Sequence, residues 1–312
     1  MKSEYYSILF NALKNGDIKR LTSKDGKESA LIQNDKVIFS TDGDLGEDSK
    51  EEMIKAEPHL VVFGAGHVSK ALYDMSELLS MAFTVIDERE ETANETRFPN
   101  AEIIRMRYED FFKEYREFFR PYFVIMTHGH AYDKEALKWA INKPFSYLGM
   151  IGSKGKVSQT FTSLISEGYS EEKIKEVHAP IGLKIGAVTP EEIAVSILGE
   201  IISVFRTTKN TVTFSKDYLS SVQNKKGVVA RIIEKTGSAP RSVGSELFYS
   251  IEENKFYGTV GGGRIEKETE LECKRMAKNK EKSKIISYNL SAKGDLNMIC
   301  GGDVTMLYTS IE

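Results

Sequence analysis

A short apolar segment followed by two closely spaced glycines contains the first residues whose types and spacing suggest chemistry. Residues 59–63 (HLVVF) predict a buried parallel strand, and apolar residues at helical spacing follow Gly66. Gly64 can adopt a tight turn and Gly66 allows close backbone approach, while the first N–H groups of the helix point at an anion. The segment therefore predicts a phosphate-binding loop, in which His67 adds a titratable group at the start of the helix.

A carboxylate and a guanidinium follow the next predicted strand. Asp87 comes about twenty residues after the glycines, where dinucleotide-binding folds place a carboxylate against a ribose hydroxyl, and Arg89 follows it. Ser69 replaces the third glycine or alanine of the usual fingerprint, but serine is small enough to keep helix and strand close. These residues predict a bound nucleotide-like phosphate. A turn without a ligand, with Asp87 and Arg89 as a solvated ion pair, is the alternative.

Two histidines and an aspartate follow the fourth predicted strand, in the segment Thr-His-Gly-His-Ala-Tyr-Asp at 127–133. Because an H-x-H pattern places two imidazoles on one side of an extended chain, a metal site is one interpretation. The segment is similar to the T-H-x-H motif of metallo-β-lactamase-like hydrolases, but no histidine follows Asp133. We therefore favour ligand hydrogen bonding by His128, His130 and Asp133, or a role in stabilising the loop, and we predict no bound metal.

Other loops also have the composition of ligand-binding turns. Gly152 and Ser153 precede a predicted helix and form a second candidate anion cradle. His178 lies in a further loop, where a functional role and a purely structural role are both open. The turn that precedes an amphipathic helix near the end of the chain consists of Gly261, Gly262 and Gly263, followed by Arg264. Glycine at these positions suggests that the backbone lies close to a ligand.

The chain has two cysteines, and they form no C-x-x-C pattern. Cys300 precedes Gly301 and Gly302, whose exposed N–H groups would lower the pKa of the thiol and favour the thiolate. A buried, unreactive side chain is the alternative. Cys273 lies on a predicted helix without such neighbours and is expected to be structural. Any catalytic thiol is therefore predicted to be Cys300.

The elements that must position these residues alternate between strand and helix. Strands are predicted at 60–63, 82–86, 101–104, 122–127 and 145–150, and helices at about 67–80, 108–119, 133–142, 153–167 and after Pro190. This alternation predicts an α/β fold with a Rossmann-like doubly wound parallel sheet over residues 57–208, in which ligands bind beyond the carboxyl ends of the strands. A helix, a small hairpin and an acidic linker are predicted over 1–56, and a smaller mixed α/β domain rich in glycine over 220–312.

Composition narrows the class of protein further. The 312 residues are 40% hydrophobic, enough for sizeable cores, and 43 Lys and Arg against 46 Asp and Glu give a net charge of −3. This balance gives no basic excess for nucleic acid or an anionic membrane, so neither partner is expected. Because the sequence has no apolar targeting segment and no disulfide framework, we expect a cytoplasmic protein.

Taken together, these loops resemble those of the XdhC/CoxI family of xanthine dehydrogenase accessory factors. The segments that carry the resemblance are 63–68 (FGAGHV), 85–89 (VIDER), 97–99 (RFP), 127–133 (THGHAYD), 149–154 (GMIGSK), 178–183 (HAPIGL), 236–241 (TGSAPR), 258–266 (GTVGGGRIE) and 300–302 (CGG). Two departures stand out. The Rossmann-like domain precedes the glycine-rich domain, the reverse of the usual family order. The CoxI-like members carry a cysteine in the first glycine turn, where this chain has Gly263 and Arg264.

The resemblance implies a cytosolic accessory protein that binds molybdenum cofactor, protects it during sulfuration and inserts it into a molybdenum hydroxylase. It implies a cysteine desulfurase and the hydroxylase apoenzyme as partners, and a cofactor chaperone more than a catalyst. The phosphate of molybdopterin would bind at Gly64, Gly66 and His67, with Asp87 at a ribose if one is present. The pterin or metal end would face Gly261 to Gly263, Arg264 and Cys300. We also expect a homodimer.

Two further functions stay open at this point. An NAD(P)-dependent oxidoreductase is favoured by Gly64, Gly66 and Asp87 but lacks a recognisable hydride-transfer constellation. A metal-dependent hydrolase built on His128 and His130 would require stoichiometric zinc or iron.

Overall fold

The computed structural model describes residues 3–114, 117–207, 211–237, 241–290 and 302–311. These residues belong to two compact units. One unit is Pro58–Thr207, and the other combines Met1–Glu57 with Thr208–Glu312. The sequence predicts an N-terminal segment that stands apart from the two domains, whereas the structure groups this segment with the C-terminal part of the chain.

The N-terminal segment contributes a helix and a set of antiparallel strands: α1 (Ser3–Leu13), β1 (Ile18–Thr22), β2 (Ser29–Gln33), β3 (Lys36–Ser40) and β4 (Lys50–Ala56). β1 pairs with β2 and β4, and β2 pairs with β3. The predicted helix and hairpin are present, but the end of the predicted acidic linker forms β4. Glu52 is buried in this strand because its carboxylate accepts a hydrogen bond from Arg20 Nε at 2.7 Å.

The Pro58–Thr207 unit alternates between strand and helix as the sequence predicts. Its elements are β5 (His59–Phe63), α2 (His67–Leu78), β6 (Ala82–Ile86), β7 (Glu102–Ile104), α3 (Tyr108–Phe111), β8 (Pro121–Ile125), α4 (Asp133–Ala140), β9 (Tyr147–Met150), α5 (Lys154–Ser166), α6 (Glu171–Lys175) and α7 (Pro190–Phe205). The strand order is β7-β6-β5-β8-β9 and every pair is parallel. This arrangement confirms the predicted Rossmann-like doubly wound sheet.

Both faces of this sheet are covered, because side chains alternate along each strand. On β5, Leu60 and Val62 join a core that includes residues of α2 and α7. Val61 and Phe63 join the opposite core, which is rich in aromatic rings and includes Phe123 and Trp139. In register, Phe63 lies beside Ile86 and Ile125. The loops that follow β5, β6 and β8 therefore begin at the same edge of the sheet.

The C-terminal part of the other unit is built on an antiparallel sheet. Its elements are β10 (Thr211–Phe214), α8 (Lys216–Asn224), β11 (Gly227–Thr236), β12 (Glu246–Ser250), β13 (Lys255–Gly258), α9 (Gly263–Asn279), β14 (Ser283–Asn289) and β15 (Asp303–Ile311). The order β13-β12-β11-β15-β14, with α9 packed on it, confirms the predicted mixed α/β domain. β10 pairs parallel with β4 of the N-terminal segment. No helix in the described ranges is both long and apolar enough to cross a membrane.

Helix α9 buries one face, which includes Cys273. The thiol is buried, and its burial, together with the charges of Glu272 and Glu270, raises the pKa of Cys273 to about 12. A buried thiol that resists ionisation is a poor nucleophile. Cys273 therefore has the structural role expected from the sequence.

A buried ionic network connects β1 with the β11 and β12 strands of the second sheet. Glu246 Oε1 lies 2.9 Å from Arg20 Nη1 and 2.7 Å from Arg231 Nε. The other carboxylate oxygen accepts hydrogen bonds from the hydroxyls of Tyr6, at 2.8 Å, and Tyr218, at 2.5 Å. Burial raises the pKa of Glu246, but the two arginines and the two hydroxyls lower this pKa by more, so the carboxylate stays charged.

Candidate functional site

The two glycines of the β5–α2 loop have different structural roles. Gly64 has a φ of 110°, and a Cβ at this position would lie 2.2 Å from the carbonyl oxygen of Met126. Its N–H donates to the Ile86 carbonyl at 2.8 Å, so Gly64 is bonded to the end of β6 and lies against the segment that follows β8. Gly66 has an ordinary φ of −72°, and a Cβ there would have no heavy atom within 4 Å. Gly66 therefore leaves open space at the start of α2, beside the exposed His67.

A hydrogen bond of Ser69 explains why serine stands where the glycine fingerprint has a third glycine or alanine. Its side chain is fully buried, and its hydroxyl donates to the Gly64 carbonyl at 2.5 Å. A third glycine would allow the same close approach of helix and strand but could not make this bond. The serine thus fixes the tight turn that Gly64 makes.

Asp87 is hydrogen-bonded to the backbone of the glycine loop. Its Oδ2 accepts from the N–H of Ala65 at 2.8 Å, and Arg89 donates to both carboxylate oxygens, Nε to Oδ1 at 2.9 Å and Nη2 to Oδ2 at 2.6 Å. Burial raises the pKa of Asp87, but these hydrogen bonds and the charge of Arg89 bring it below its usual value. Only 1% of Asp87 is exposed, so the pair is not the solvated one considered from the sequence. A ribose hydroxyl would have to compete with Arg89 for this carboxylate.

Arg97 also holds the loop, a role that the sequence did not predict, although Arg97 lies in one of the segments that carry the family resemblance. Its Nη1 donates to the carbonyls of Ala65 and Thr92, each at 2.8 Å, and its Nη2 donates to the Gly66 carbonyl at 3.4 Å. The carbonyl oxygens of Ala65 and Gly66 therefore already have a hydrogen-bond donor in Arg97. The N–H groups that begin α2, which no helix can satisfy internally, remain for a ligand.

The loop after β8 brings His130 and Asp133 together. Asp133 Oδ1 accepts from the N–H of Thr127 at 2.9 Å and from its hydroxyl at 2.7 Å, while Oδ2 lies 2.7 Å from His130 Nδ1. Asp133 is buried, whereas His128 and His130 are exposed. Within the described ranges, no group of three or more His, Cys, Asp or Glu side chains is arranged to hold a metal ion. The loop thus forms a hydrogen-bonded histidine and aspartate pair.

Ser153, in the turn after β9, and His178 both make contacts within the Rossmann unit. Ser153 is the N-cap of α5 and accepts from the N–H of Lys156 at 3.4 Å, with Gly152 before it. His178 stacks on the ring of Tyr147 with 4.6 Å between ring centroids, and its Nδ1 lies 3.4 Å from Glu200. These contacts favour the structural alternative for His178.

The glycine turn before α9 is already filled by a carboxylate of the same chain. Glu266 Oε2 accepts from the N–H groups of Val260, Gly261 and Gly262, at 3.1, 3.2 and 2.9 Å, and from the Thr259 hydroxyl at 2.5 Å. Burial raises the pKa of Glu266, but these donors lower it by more, so the carboxylate is stabilised. The turn therefore has the geometry of an anion cradle, which is occupied by a glutamate of the same chain rather than by the ligand that its glycines suggest.

Removal of this glutamate should open the cradle. We expect Glu266→Ala to lower the free energy of unfolding by about 1–3 kcal/mol, since the N–H groups of the buried Val260 and the half-buried Gly262 lose their acceptor. Phosphate should then raise the melting temperature of this variant more than that of the wild type, by binding in place of the carboxylate. Differential scanning calorimetry across a phosphate series measures both effects. Glu268→Ala, on the same helix and without a hydrogen bond to the turn, is the control, and an equal phosphate response in all three proteins would contradict the prediction.

The other predicted site residues in the C-terminal part of the chain are either exposed or outside the described residues. Arg264 and Gly263 are exposed at the start of α9. Cys300 and Gly301, the candidate thiol and its glycine neighbour, lie outside the described residues. The structure thus brings together Gly64, Gly66, His67, Asp87 and Arg89 in one loop system, and His130 with Asp133 in a second.

The fold and these loops define a protein with a Rossmann-type ligand-binding unit and an antiparallel sheet covered by a helix. Comparison with known families then identifies the family of each part of the chain. Residues 60–201 match the family model described as the XdhC Rossmann domain, and residues 222–289 match that of the XdhC and CoxI family. The chain belongs to the XdhC and CoxI family, with the Rossmann domain first, as the sequence predicts.

The matches to two individual relatives each cover about half of this chain. It is 36% identical to "Uncharacterized protein YqeB" of Escherichia coli K12 over 148 residues, and this matched region covers 47% of this chain and 27% of that protein. Over 152 residues it is 28% identical to a probable xanthine dehydrogenase subunit of Bacillus subtilis 168, covering 48% and 44%. A solved structure described as a xanthine dehydrogenase from Bacillus halodurans is 25% identical, with a TM-score of 0.48, and covers 64% of this chain and 62% of that one. The chain therefore spans less than half the length of the two sequence relatives.

Proposed function

We propose that this protein is an accessory factor for a xanthine dehydrogenase-type molybdenum hydroxylase, which binds molybdenum cofactor as cargo and assists its sulfuration and insertion. The match to both domains of the XdhC and CoxI family carries the proposal. The name of the Bacillus subtilis relative supports the link to xanthine dehydrogenase. Its partners would be the hydroxylase apoenzyme and a cysteine desulfurase, and the protein would act in the cytoplasm, as a homodimer.

The β5–α2 loop suits the phosphate of molybdopterin. Gly66 leaves space for a ligand at the helix start, where a Cβ would meet no heavy atom within 4 Å. The carbonyls of Ala65 and Gly66 are bonded to Arg97, so the free N–H groups of α2 are the polar groups available there. His67, at the first position of the helix, would add a donor to the phosphate.

Other polar side chains of the Rossmann unit would also bind the cofactor. His128 and His130 would contribute donors at the same sheet edge, with Asp133 holding His130. In the second unit, Arg264 would bind an oxyanion through its guanidinium, which cannot carry sulfur as a thiolate can. Sulfur chemistry would therefore fall on Cys300, because Cys273 is buried on α9.

Cofactor retention by purified protein tests this function. Wild-type protein incubated with molybdenum cofactor should retain both pterin, measured by fluorescence after oxidation, and molybdenum, measured by elemental analysis. Gly66→Val should lower retention about tenfold or more, because a branched side chain fills the space before α2 without disturbing the fold. Gly155→Val, at a second glycine with no heavy atom within 4 Å of its Cβ, is the matched control.

Two outcomes would contradict the proposal. Wild-type protein that retains neither pterin nor molybdenum would exclude a cofactor carrier. Saturable binding of NADH, followed by its fluorescence, would instead support the alternative of an NAD(P)-dependent oxidoreductase. The bonding of Arg89 to both oxygens of Asp87 is the observation that makes us expect no such binding.

A further inference from the structure

A cavity of about 290 Å³ lies between the loop after β8 and helix α5 of the Rossmann unit. Its lining includes His130 and Asp133 from the loop, and Lys156, Gln159 and Thr160 from the helix. Met150 and Ile151, at the end of β9, also line it. The cavity thus combines polar side chains from the loop and the helix with an apolar surface, which is the usual composition of a small-molecule site.

His130 is held in this cavity wall at the expense of an unfavourable backbone conformation. Its φ is 60°, as is that of Gly129, and this left-handed region is uncommon for a residue with a side chain. The conformation accompanies the bond between His130 Nδ1 and Asp133, whose side chain is 9% exposed. With Nδ1 engaged, Nε2 is the ring nitrogen available to a ligand. Strain of this kind is frequent where a side chain must be held for binding.

Helix α5 supplies a set of donors to the cavity. Lys156, Gln159 and Thr160 are spaced i, i+3 and i+4 along α5, so they share one face of the helix. Among the described residues, Lys156 forms no ion pair, in contrast to Lys134 of the same cavity, which pairs with Glu167 at 2.5 Å. Both carboxylate oxygens of Asp133 are already engaged, Oδ1 by Thr127 and Oδ2 by His130 Nδ1. Within the described residues, Lys156 is therefore the charged side chain of the cavity that is left to bind an anion.

We propose that this cavity binds a phosphate monoester, with the phosphate between His130 Nε2 and the ammonium group of Lys156. A phosphate suits both partners, since it accepts from an ammonium group and can either accept from or donate to an imidazole nitrogen. Gln159 and Thr160 provide further donors to its oxygens. Met150 and Ile151 would contact the organic group of the ester. The site does not include the β5–α2 loop, and although it shares His130 with the contacts proposed for molybdenum cofactor, its binding of a phosphate monoester does not depend on the proposed function.

Titration of cofactor-free protein with phenyl phosphate tests the proposal, with binding followed by calorimetry and by ³¹P line broadening. We expect saturable binding that Lys156→Ala and His130→Gln each weaken about tenfold or more, as for a lost charge-assisted hydrogen bond. Lys154→Ala is the matched control, because Lys154 is an exposed lysine on the same helix that does not line the cavity, and binding should change less than about twofold.

The outcomes separate the specific site from its alternatives. Equal weakening by Lys154→Ala and Lys156→Ala would show diffuse charge attraction and overturn the site. Inorganic phosphate that binds as tightly as phenyl phosphate would overturn the assignment of an organic ester. Retention of molybdenum cofactor by Lys156→Ala, with phenyl phosphate binding lost, would support a phosphate position at Lys156 distinct from the one proposed at the β5–α2 loop. Because this test contains no molybdenum cofactor and the test of function varies Gly66, either proposal can fail without the other.

Discussion

Glu246→Ala is expected to destabilise the unit formed by Met1–Glu57 and Thr208–Glu312 by about 3–5 kcal/mol, which is the usual effect of removing one partner from a buried ion pair. Glu246 is the shared anion of Arg20 and Arg231, at 2.9 and 2.7 Å, and all three side chains are almost fully buried. Without it, two guanidinium groups stay buried with less compensation. Among the described residues, Glu52, at 2.7 Å, is then the acidic partner that remains to Arg20.

Hydrogen exchange of individual peptides is the appropriate measurement, because a chain with two compact units need not unfold in one step. Peptides from β1, β11 and β12 should lose protection in Glu246→Ala, while peptides from β5 and β8 should not. Glu252→Ala, an exposed glutamate in the turn after β12, should leave all of them unchanged. Similar loss of protection in the two variants would show that the network does not hold these sheets.

Local patterns in the sequence were sufficient to predict the Rossmann unit. The apolar run at 59–63 and the glycines after it lie within a few residues of each other, so strand, turn and helix follow from short-range rules. Parallel pairing then places the ends of β5, β6 and β8 at one edge, which is why Gly64 and Asp87 meet. The order of strands follows the common form of this fold.

Long-range pairing could not be predicted in the same way. β4 pairs with β10, whose residues come more than a hundred positions later, and no local signal connects them. Glu52 stands in an acidic run that predicts a solvated linker, but its partner Arg20 lies on another strand. An isolated charge pattern cannot tell a solvated glutamate from one whose partner is brought close only by the fold.

The same limit applies to the candidate site. The glycines at Gly261 to Gly263 predict a backbone that lies close to a ligand, and the N–H groups of this turn converge on a carboxylate of the same chain. That the carboxylate is Glu266 depends on a side-chain conformation that the spacing leaves open. Arg97 is a similar case, since its bonds to the Ala65 and Gly66 carbonyls depend on where the loop after β6 returns to the sheet.

Gly64→Ala is expected to disrupt the Rossmann unit, with a loss of about 3 kcal/mol or more in its free energy of unfolding. Two effects add. A φ of 110° is unfavourable for any residue with a Cβ, and that Cβ would lie 2.2 Å from the Met126 carbonyl oxygen. Relief of this overlap requires the segment after β8 to move, although the N–H of Met126 is bonded to the Phe63 carbonyl at 2.9 Å.

Gly66→Ala is the matched control, two residues further along the same loop. Its φ of −72° suits alanine, and the added methyl group meets no heavy atom within 4 Å. Its stability should therefore stay within about 0.5 kcal/mol of the wild type. Hydrogen exchange of β5 and β8 peptides distinguishes the two variants. If Gly64→Ala kept wild-type protection, the backbone at this turn would have to relax, and the close approach of β5 and β8 would not be what requires glycine at position 64.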